Sequence, residues 1–189
     1  KGTVTITKGK VQVEIIGKNE TVVYDGKPHT AKDVAHLCLY SDGKEITGSI
    51  GVVLKNGEEL VTVTGIDAGT YPQPSIDTSK FQIESIEASN YEFEVKEFTP
   101  GTLTISPRPV TIKTKGAKKS YDGTPLTENG CEATGFVESD GQKVKVTPIG
   151  SITDVGNVLN DYTINWNGVK ENNYQIVNEL GTLEVTKPE

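Results

Sequence analysis

The chain has no methionine, two histidines (His29 and His36), two cysteines (Cys38 and Cys131), one tryptophan (Trp166) and only 6% aromatic residues. Each shortage removes a class of function. Two cysteines 93 residues apart do not make the framework of a small disulfide scaffold. His29, His36, Cys38 and Cys131 lack the pairwise spacing that holds zinc. Nucleophilic catalysis needs an activated Ser or Cys beside a base. His36 and Cys38 would share one face of a strand, but no third group or oxyanion hole accompanies them. Long Leu-, Ala- and Met-rich runs are missing, which disfavours helix, and no stretch approaches the roughly 18 apolar residues that span a bilayer. Cationic excess is missing too. With 19 Lys and Arg against 26 Asp and Glu, the net charge is −7. Nucleic acid and anionic membrane both select for basic surfaces, so neither is expected as a partner, and no membrane insertion is expected. Glycoside hydrolysis needs two placed carboxylates in a cleft, and the acids here are scattered. The expectation is a protein that is not an enzyme and uses no cofactor.

What is present points to strands. There are 20 glycines and many Val and Thr residues, and β-branched side chains fit a pleated surface. Apolar and polar residues alternate in Val11/Val13/Ile15, Tyr91/Phe93/Val95, Leu103/Ile105, Val110/Ile112, Val144/Val146, Tyr162/Ile164/Trp166 and Leu183/Val185. Such alternation means one buried face and one wet face. Phe81 and Ile83, continuing to Ile86, read as a further strand, and residues 32–38 read as either a strand or a helical turn. Asp25-Gly26, Asp42-Gly43, Asn56-Gly57, Asp122-Gly123, Asp140-Gly141 and Asn167-Gly168 punctuate these runs as turns. Short strands with regular turns suggest a sandwich or a small barrel.

The chain also resembles itself. Tyr24-Asp25-Gly26-Lys27-Pro28-His29-Thr30 returns as Tyr121-Asp122-Gly123-Thr124-Pro125-Leu126-Thr127, Ser89-Asn90-Tyr91 as Asn172-Asn173-Tyr174, and Gly101-Thr102-Leu103-Thr104-Ile105-Ser106 as Gly181-Thr182-Leu183-Glu184-Val185-Thr186. The last motif occurs a third time at Gly2-Thr3-Val4-Thr5-Ile6-Thr7. The expected organisation is therefore three parts. Residues 1–9 are the closing strand of a preceding repeat or a lead-in edge strand, residues 10–106 a first repeat, and residues 107–189 a second. A short, semi-rigid linker at Pro107-Arg108-Pro109 would join the repeats. A start at Lys1 and a stop just after a strand suggest part of a longer chain.

The first copy is longer. Tyr24 and Tyr91 are 67 residues apart, Tyr121 and Tyr174 only 53, which puts an insertion within residues 45–85. Asn56-Gly57 there predicts a two-residue type I′ hairpin between strands at 50–54 and 60–64.

The repeated turns carry a structural reading first. Tyr24 and Tyr121 are expected to cover the core with the ring and to bond backbone with the hydroxyl. Asp25 and Asp122 would form Asx turns, Gly26 and Gly123 would supply positive φ, and Asp67 and Asp154 would brace turns. Cys38 and Cys131 read as separate buried thiols, and Trp166 as core. Oxygen ligands from Asp42, Glu45, Asp67 or Asp154 could meet around calcium at a domain joint, though no Asp-x-Asp-x-Asp-Gly loop occurs.

Taken in order, Tyr-Asp-Gly-x-Pro-x-Thr, an Asp-x-Gly element (Asp67-Ala68-Gly69-Thr70-Tyr71 and Asp154-Val155-Gly156), Asn-Tyr (Tyr91, Tyr174) and the closing Gly-Thr-Leu strand make the chain similar to the MBG-type immunoglobulin-like repeats of large bacterial surface and secreted proteins. The resemblance implies an all-β fold, two tandem Ig-like β-sandwich or β-grasp-like modules. It implies an extracellular, cell-surface or wall-associated place, and a rigid spacer or stalk role in adhesion. The expected partners are neighbouring domains of the same chain, with the protein itself a monomer. The alternative is a module that binds a glycan or a host protein through the insertion, around Tyr71, Pro72 and Pro74.

Overall fold

The computed structural model describes residues 1–40, 42–46, 51–85 and 89–189. Ile50 and Ile86, each expected at the end of a strand, lie outside the described residues. The chain is all-β, and its contacts divide it into two compact units. Unit 1 comprises Lys1–Val22 and Lys27–Ile105, and unit 2 comprises Val23–Gly26 and Ser106–Glu189.

Unit 1 begins with residues 1–8, which form no strand, and Val4 and Ile6 there are exposed. Then come β1 (Gly9–Gly17), β2 (Glu20–Val23), β3 (His29–Ala31), β4 (Val34–Tyr40), β5 (Val52–Leu54), α1 (Gly57–Val61), β6 (Val63–Gly65), β7 (Gly69–Pro72), β8 (Ile83–Ser85), β9 (Tyr91–Thr99) and β10 (Thr102–Ser106). Strand β1 lies between β4, antiparallel, and β9, parallel; β10 lies between β2 and β7. The pairs β3–β6 and β5–β8 complete it. The alternation read from the sequence sets the core: Val11, Val13 and Ile15 of β1 and Leu103 and Ile105 of β10 are buried. Of residues 32–38, Val34 to Cys38 are strand, part of β4, and Lys32 and Asp33 link β3 to β4.

The insertion departs from expectation. Asn56-Gly57 is not a hairpin turn: Asn56 stands at the start of the short helix α1, and residues 60–64 are divided between α1 and β6. The reason is local. The Asn56 side chain accepts from Gln82 N–H at 2.9 Å and donates to Lys80 C=O at 2.7 Å, which ties it to a distant segment. The one-turn helix then drops Val61 into the core beside Val13, Ile15 and Phe81. Burying such side chains is worth about 1.5–3 kcal/mol each, which outweighs a turn preference.

Unit 2 repeats the scheme with β11 (Arg108–Thr114), β12 (Ala117–Ser120), β13 (Cys131–Thr134), α2 (Glu138–Gly141), β14 (Lys145–Pro148), β15 (Gly156–Leu159), β16 (Tyr162–Asn165), β17 (Tyr174–Glu179) and β18 (Thr182–Thr186). Strand β11 lies between antiparallel β13 and parallel β17; β18 lies between parallel β12 and antiparallel β15; β14 pairs with β16. Val110, Ile112, Leu183 and Val185 are its buried centre. Only Pro107 separates β10 from β11, so most of the expected Pro-rich linker is strand.

One ribbon organises each unit. In unit 2, β11 and β12 run alongside β17 and β18 in a single parallel register, from Arg108 opposite Tyr174 to Ser120 opposite Thr186. The ribbon passes from one sheet to the other at Gly116 and Gly181. A Cβ on Gly181 would stand 2.3 Å from Gly116 N, and one on Gly116 would stand 2.6 Å from Thr182 O. In unit 1 the crossing falls at Gly17 and Gly101, where a Cβ on Gly101 would stand 2.5 Å from Lys18 O. Only glycine lets two backbones approach so closely.

Candidate functional site

A buried amide closes each crossing. Asn160 follows β15 and is fully buried. Its side chain donates to Lys115 C=O at 2.9 Å and Glu128 C=O at 2.8 Å and accepts from Gly150 N–H at 3.1 Å. Its carbonyl accepts from Thr114 Oγ1 at 2.6 Å, and its N–H reaches Gly181 C=O. In unit 1 the same place after β7 is held by Gln73, also buried, which accepts from Gly101 N–H at 2.8 Å. These amides stand four residues after Gly156 and Gly69, an equal offset from the Asp-x-Gly element that sequence reasoning did not exploit.

The densest side-chain cluster lies in unit 2. Helix α2 presents Asp140, whose Oδ2 accepts from the Tyr24 hydroxyl at 3.0 Å and the Tyr174 hydroxyl at 2.6 Å. Val137 N–H donates to the Tyr174 oxygen at 3.2 Å. The Tyr24 ring meets Tyr174 edge-on at 5.4 Å, Phe136 meets Tyr174 edge-on at 4.8 Å, and Trp166 stacks on Tyr174 at 6.2 Å. Edge-to-face geometry sets the positive rim of one ring against the negative face of the next. Burial first, and then the Asp140 carboxylate, push the Tyr174 hydroxyl well above its ordinary range. It therefore stays protonated and donates. This is an arrangement for holding a tyrosine: two phenols share one carboxylate.

Both Tyr-Asp-Gly turns belong to unit 2, and they differ. Gly26 and Gly123 have φ of +76° and +78°. Tyr24 N–H donates to Ser106 C=O at 2.9 Å and Tyr121 N–H to Thr186 C=O at 2.8 Å. Yet Tyr24 is 6% exposed and Tyr121 43%. Asp122 forms an Asx turn with Thr124 N–H at 2.9 Å and also meets Lys119 Nζ at 2.8 Å. These bonds, that from Lys119 foremost, hold its carboxyl far below the usual range. Asp25 is half-buried. The Tyr24 hydroxyl bonds a carboxylate, where backbone was expected.

The remaining residues singled out by sequence are dispersed. Tyr71 lies over Gly65, and its hydroxyl donates to Asp67 C=O at 2.9 Å; Pro72 ends β7, and Pro72 and Pro74 are exposed. Gly69 opens β7 and Gly156 opens β15, while Asp154 is exposed ahead of the latter. Tyr91 packs beside Gly9 and Phe93. His36 is exposed, and Cys38 is half-buried against the unit 1 core, where burial raises its thiol. Both cysteines are free, and Cys131 is exposed, a correction to the buried thiol expected there, because every residue of β13 faces solvent. Among the described residues, no group of three or more His, Cys, Asp or Glu is placed to hold a metal.

Unit 1 carries a separate open concavity of about 800 Å³, lined in part by Phe81, Ile83, Tyr91 and Phe93 together with Lys8 and Glu92. Strand β9 supplies part of its lining, and Tyr71, Pro72 and Pro74 are not among the residues that line it.

Against known families, residues 11–107 match the MBG domain. The chain belongs to the MBG domain family. MBG domains are structural repeats found in large bacterial surface proteins. The matched residues cover the first Tyr-Asp-Gly turn, the insertion and the first closing strand, and the MBG pattern thus includes the unequal copy. Neither curated proteins nor solved structures give a match. Among the described residues, no helix of this MBG protein is long and apolar enough to cross a membrane.

Proposed function

We propose that the chain is an extracellular, non-enzymatic stalk segment of a bacterial surface protein: two tandem MBG modules that hold another part of the molecule away from the cell during adhesion. One observation carries this reading, the parallel pairing of β1 with β9 in unit 1 and of β11 and β12 with β17 and β18 in unit 2. In unit 2 the chain enters at Arg108 and leaves at Thr186, and both strands of the ribbon run the same way. Entry and exit therefore lie at opposite ends of a ribbon roughly 40 Å long at strand rise. Tension applied there pulls the two strands past each other. Every ladder bond is loaded at once, whereas an antiparallel hairpin pulled at its open end breaks one pair at a time. Resistance to force is a matter of unfolding rate, and this topology slows it. The chain stretched from its two ends in single-molecule force spectroscopy should give discrete, cooperative high-force events. Gradual extension at low force would contradict the stalk role.

A binding module is the second reading, favoured by the unit 1 concavity, to which the insertion contributes Phe81 and Ile83. A glycan or an extended host peptide suits its mix of aromatic and polar side chains. A glycan array probed with the chain and with Tyr91→Ala decides this reading. Signal lost in the variant supports it, and a blank array for both removes the glycan form.

A further inference from the structure

The two Tyr-Asp-Gly turns of unit 2 are alike in backbone and opposite in environment. Each places a tyrosine N–H on the last residue of a closing strand and a glycine at φ near +77°. The Tyr24 ring meets Tyr174 edge-on, Tyr174 is itself flanked by Phe136 and Trp166, and the Tyr24 hydroxyl is paired with the Asp140 carboxylate. Tyr121 presents the same ring and hydroxyl to solvent, with Asp122 committed to bracing the turn through Thr124 and Lys119. We propose that Tyr121-Asp122-Gly123 is the plug of a head-to-tail joint whose socket is the aromatic–carboxylate seat of a further module of this kind. Unit 2 thus holds one such turn in its own seat and exposes another.

The chemistry fixes the occupant. The plug is an aromatic ring with one hydroxyl donor on a turn whose glycine leaves no side chain in the way. Its complement is an aromatic ring to meet edge-on and a carboxylate to accept from the hydroxyl, as Tyr24 finds here. In this chain that seat is already taken by Tyr24, so the partner of Tyr121 is a module whose seat is empty, not a second intact copy of the chain. Joints of this kind are heterologous and propagate in one direction.

The inference rests on the reading of the chain as a module of a repeat protein, but its test applies no force and is separate from the stalk's mechanics. Tyrosine nitration by tetranitromethane with peptide mapping compares the chain as it stands with one in which a second copy of residues 107–189 follows Thr186 as Pro107 follows Ser106. In the chain as it stands, Tyr24 is protected and Tyr121 reacts. In the extended chain, nitration of Tyr121 slows by about tenfold, the worth of one buried aromatic contact. Asp140→Asn in the added copy restores part of the reactivity. Equal reactivity of Tyr121 in both chains overturns the proposal. So does protection that grows with concentration in the unextended chain, because the partner is then a second free molecule. Melting supplies an independent reading. Tyr121→Ala in the extended chain should lower the transition temperature of the added copy and shift its Trp166 emission, and an unchanged melt overturns the proposal even where nitration is ambiguous.

Discussion

Unit 1 and unit 2 bend the same parallel ribbon at paired glycines and tie the bend with different amides. Asn160, one methylene shorter than Gln73, reaches three backbone partners with its side chain at 2.8–3.1 Å. Gln73 makes one short bond, to Gly101 N–H at 2.8 Å, and a long one at 3.5 Å to Asp33 C=O. Unit 1 compensates elsewhere: its insertion adds α1 and drops Val61 and Phe81 into the core. Unit 2 has no such insertion and relies on polar closure and on the tyrosine seat. A module of this size has little apolar surface to spare, and the two units meet that shortage by different routes.

The glycines at the two crossings should give the largest effects. Gly181→Ala sets a Cβ against Gly116 N, and Gly17→Ala sets one against Gly101 N at 2.3 Å in addition to Gln73. Neither obstacle is a side chain that can swing away in full, so each substitution should cost its own unit about 3 kcal/mol or more, seen as a lowered midpoint in urea unfolding. The amides come next. Asn160→Ala strands Gly150 N–H and two carbonyls in unit 2 and should cost about 3 kcal/mol, and Gln73→Ala, which strands chiefly Gly101 N–H, about half as much. Equal losses would show that the difference in closure is only geometric.

The seat gives the smallest effect and a pH signature. Asp140→Asn should cost about 1–2 kcal/mol through two weakened hydroxyl bonds. Tyr174 binds its proton more tightly folded than unfolded, because of burial and of Asp140. Its contribution is therefore complete below the ordinary tyrosine value of 10 and is lost as pH rises above it. A melting series from pH 8 to 11 should show unit 2 weakening beyond about pH 10, and less steeply in Asp140→Asn.

Much of the frame was legible in the sequence because it depends on local rules. Period-two alternation put Val11, Val13 and Ile15 on the buried face of β1, and the Asp-Gly and Asn-Gly pairs marked backbone with positive φ at Gly26, Gly123, Asn167 and Gly168. What was not legible depends on partners distant in the chain. Asn56-Gly57 has the same local signature as a hairpin, but Gln82 and Lys80 decide its fate. Asp140 reads as one more turn aspartate until Tyr24, 116 residues away, arrives at its carboxylate. Tyr24 and Tyr121 have equal sequence contexts, and only the surroundings of their rings tell them apart.

A stalk role requires each unit to resist shear along its parallel ribbon. Unit 2 tests it most directly when the full chain is pulled through two pairs of attachment points. Arg108 and Thr186 load the ribbon in shear; Arg108 and Tyr174, register partners at one end of it, load it in peel. Clearly higher unfolding forces are expected for the first pair at the same pulling speed. Equal forces in the two directions would contradict it.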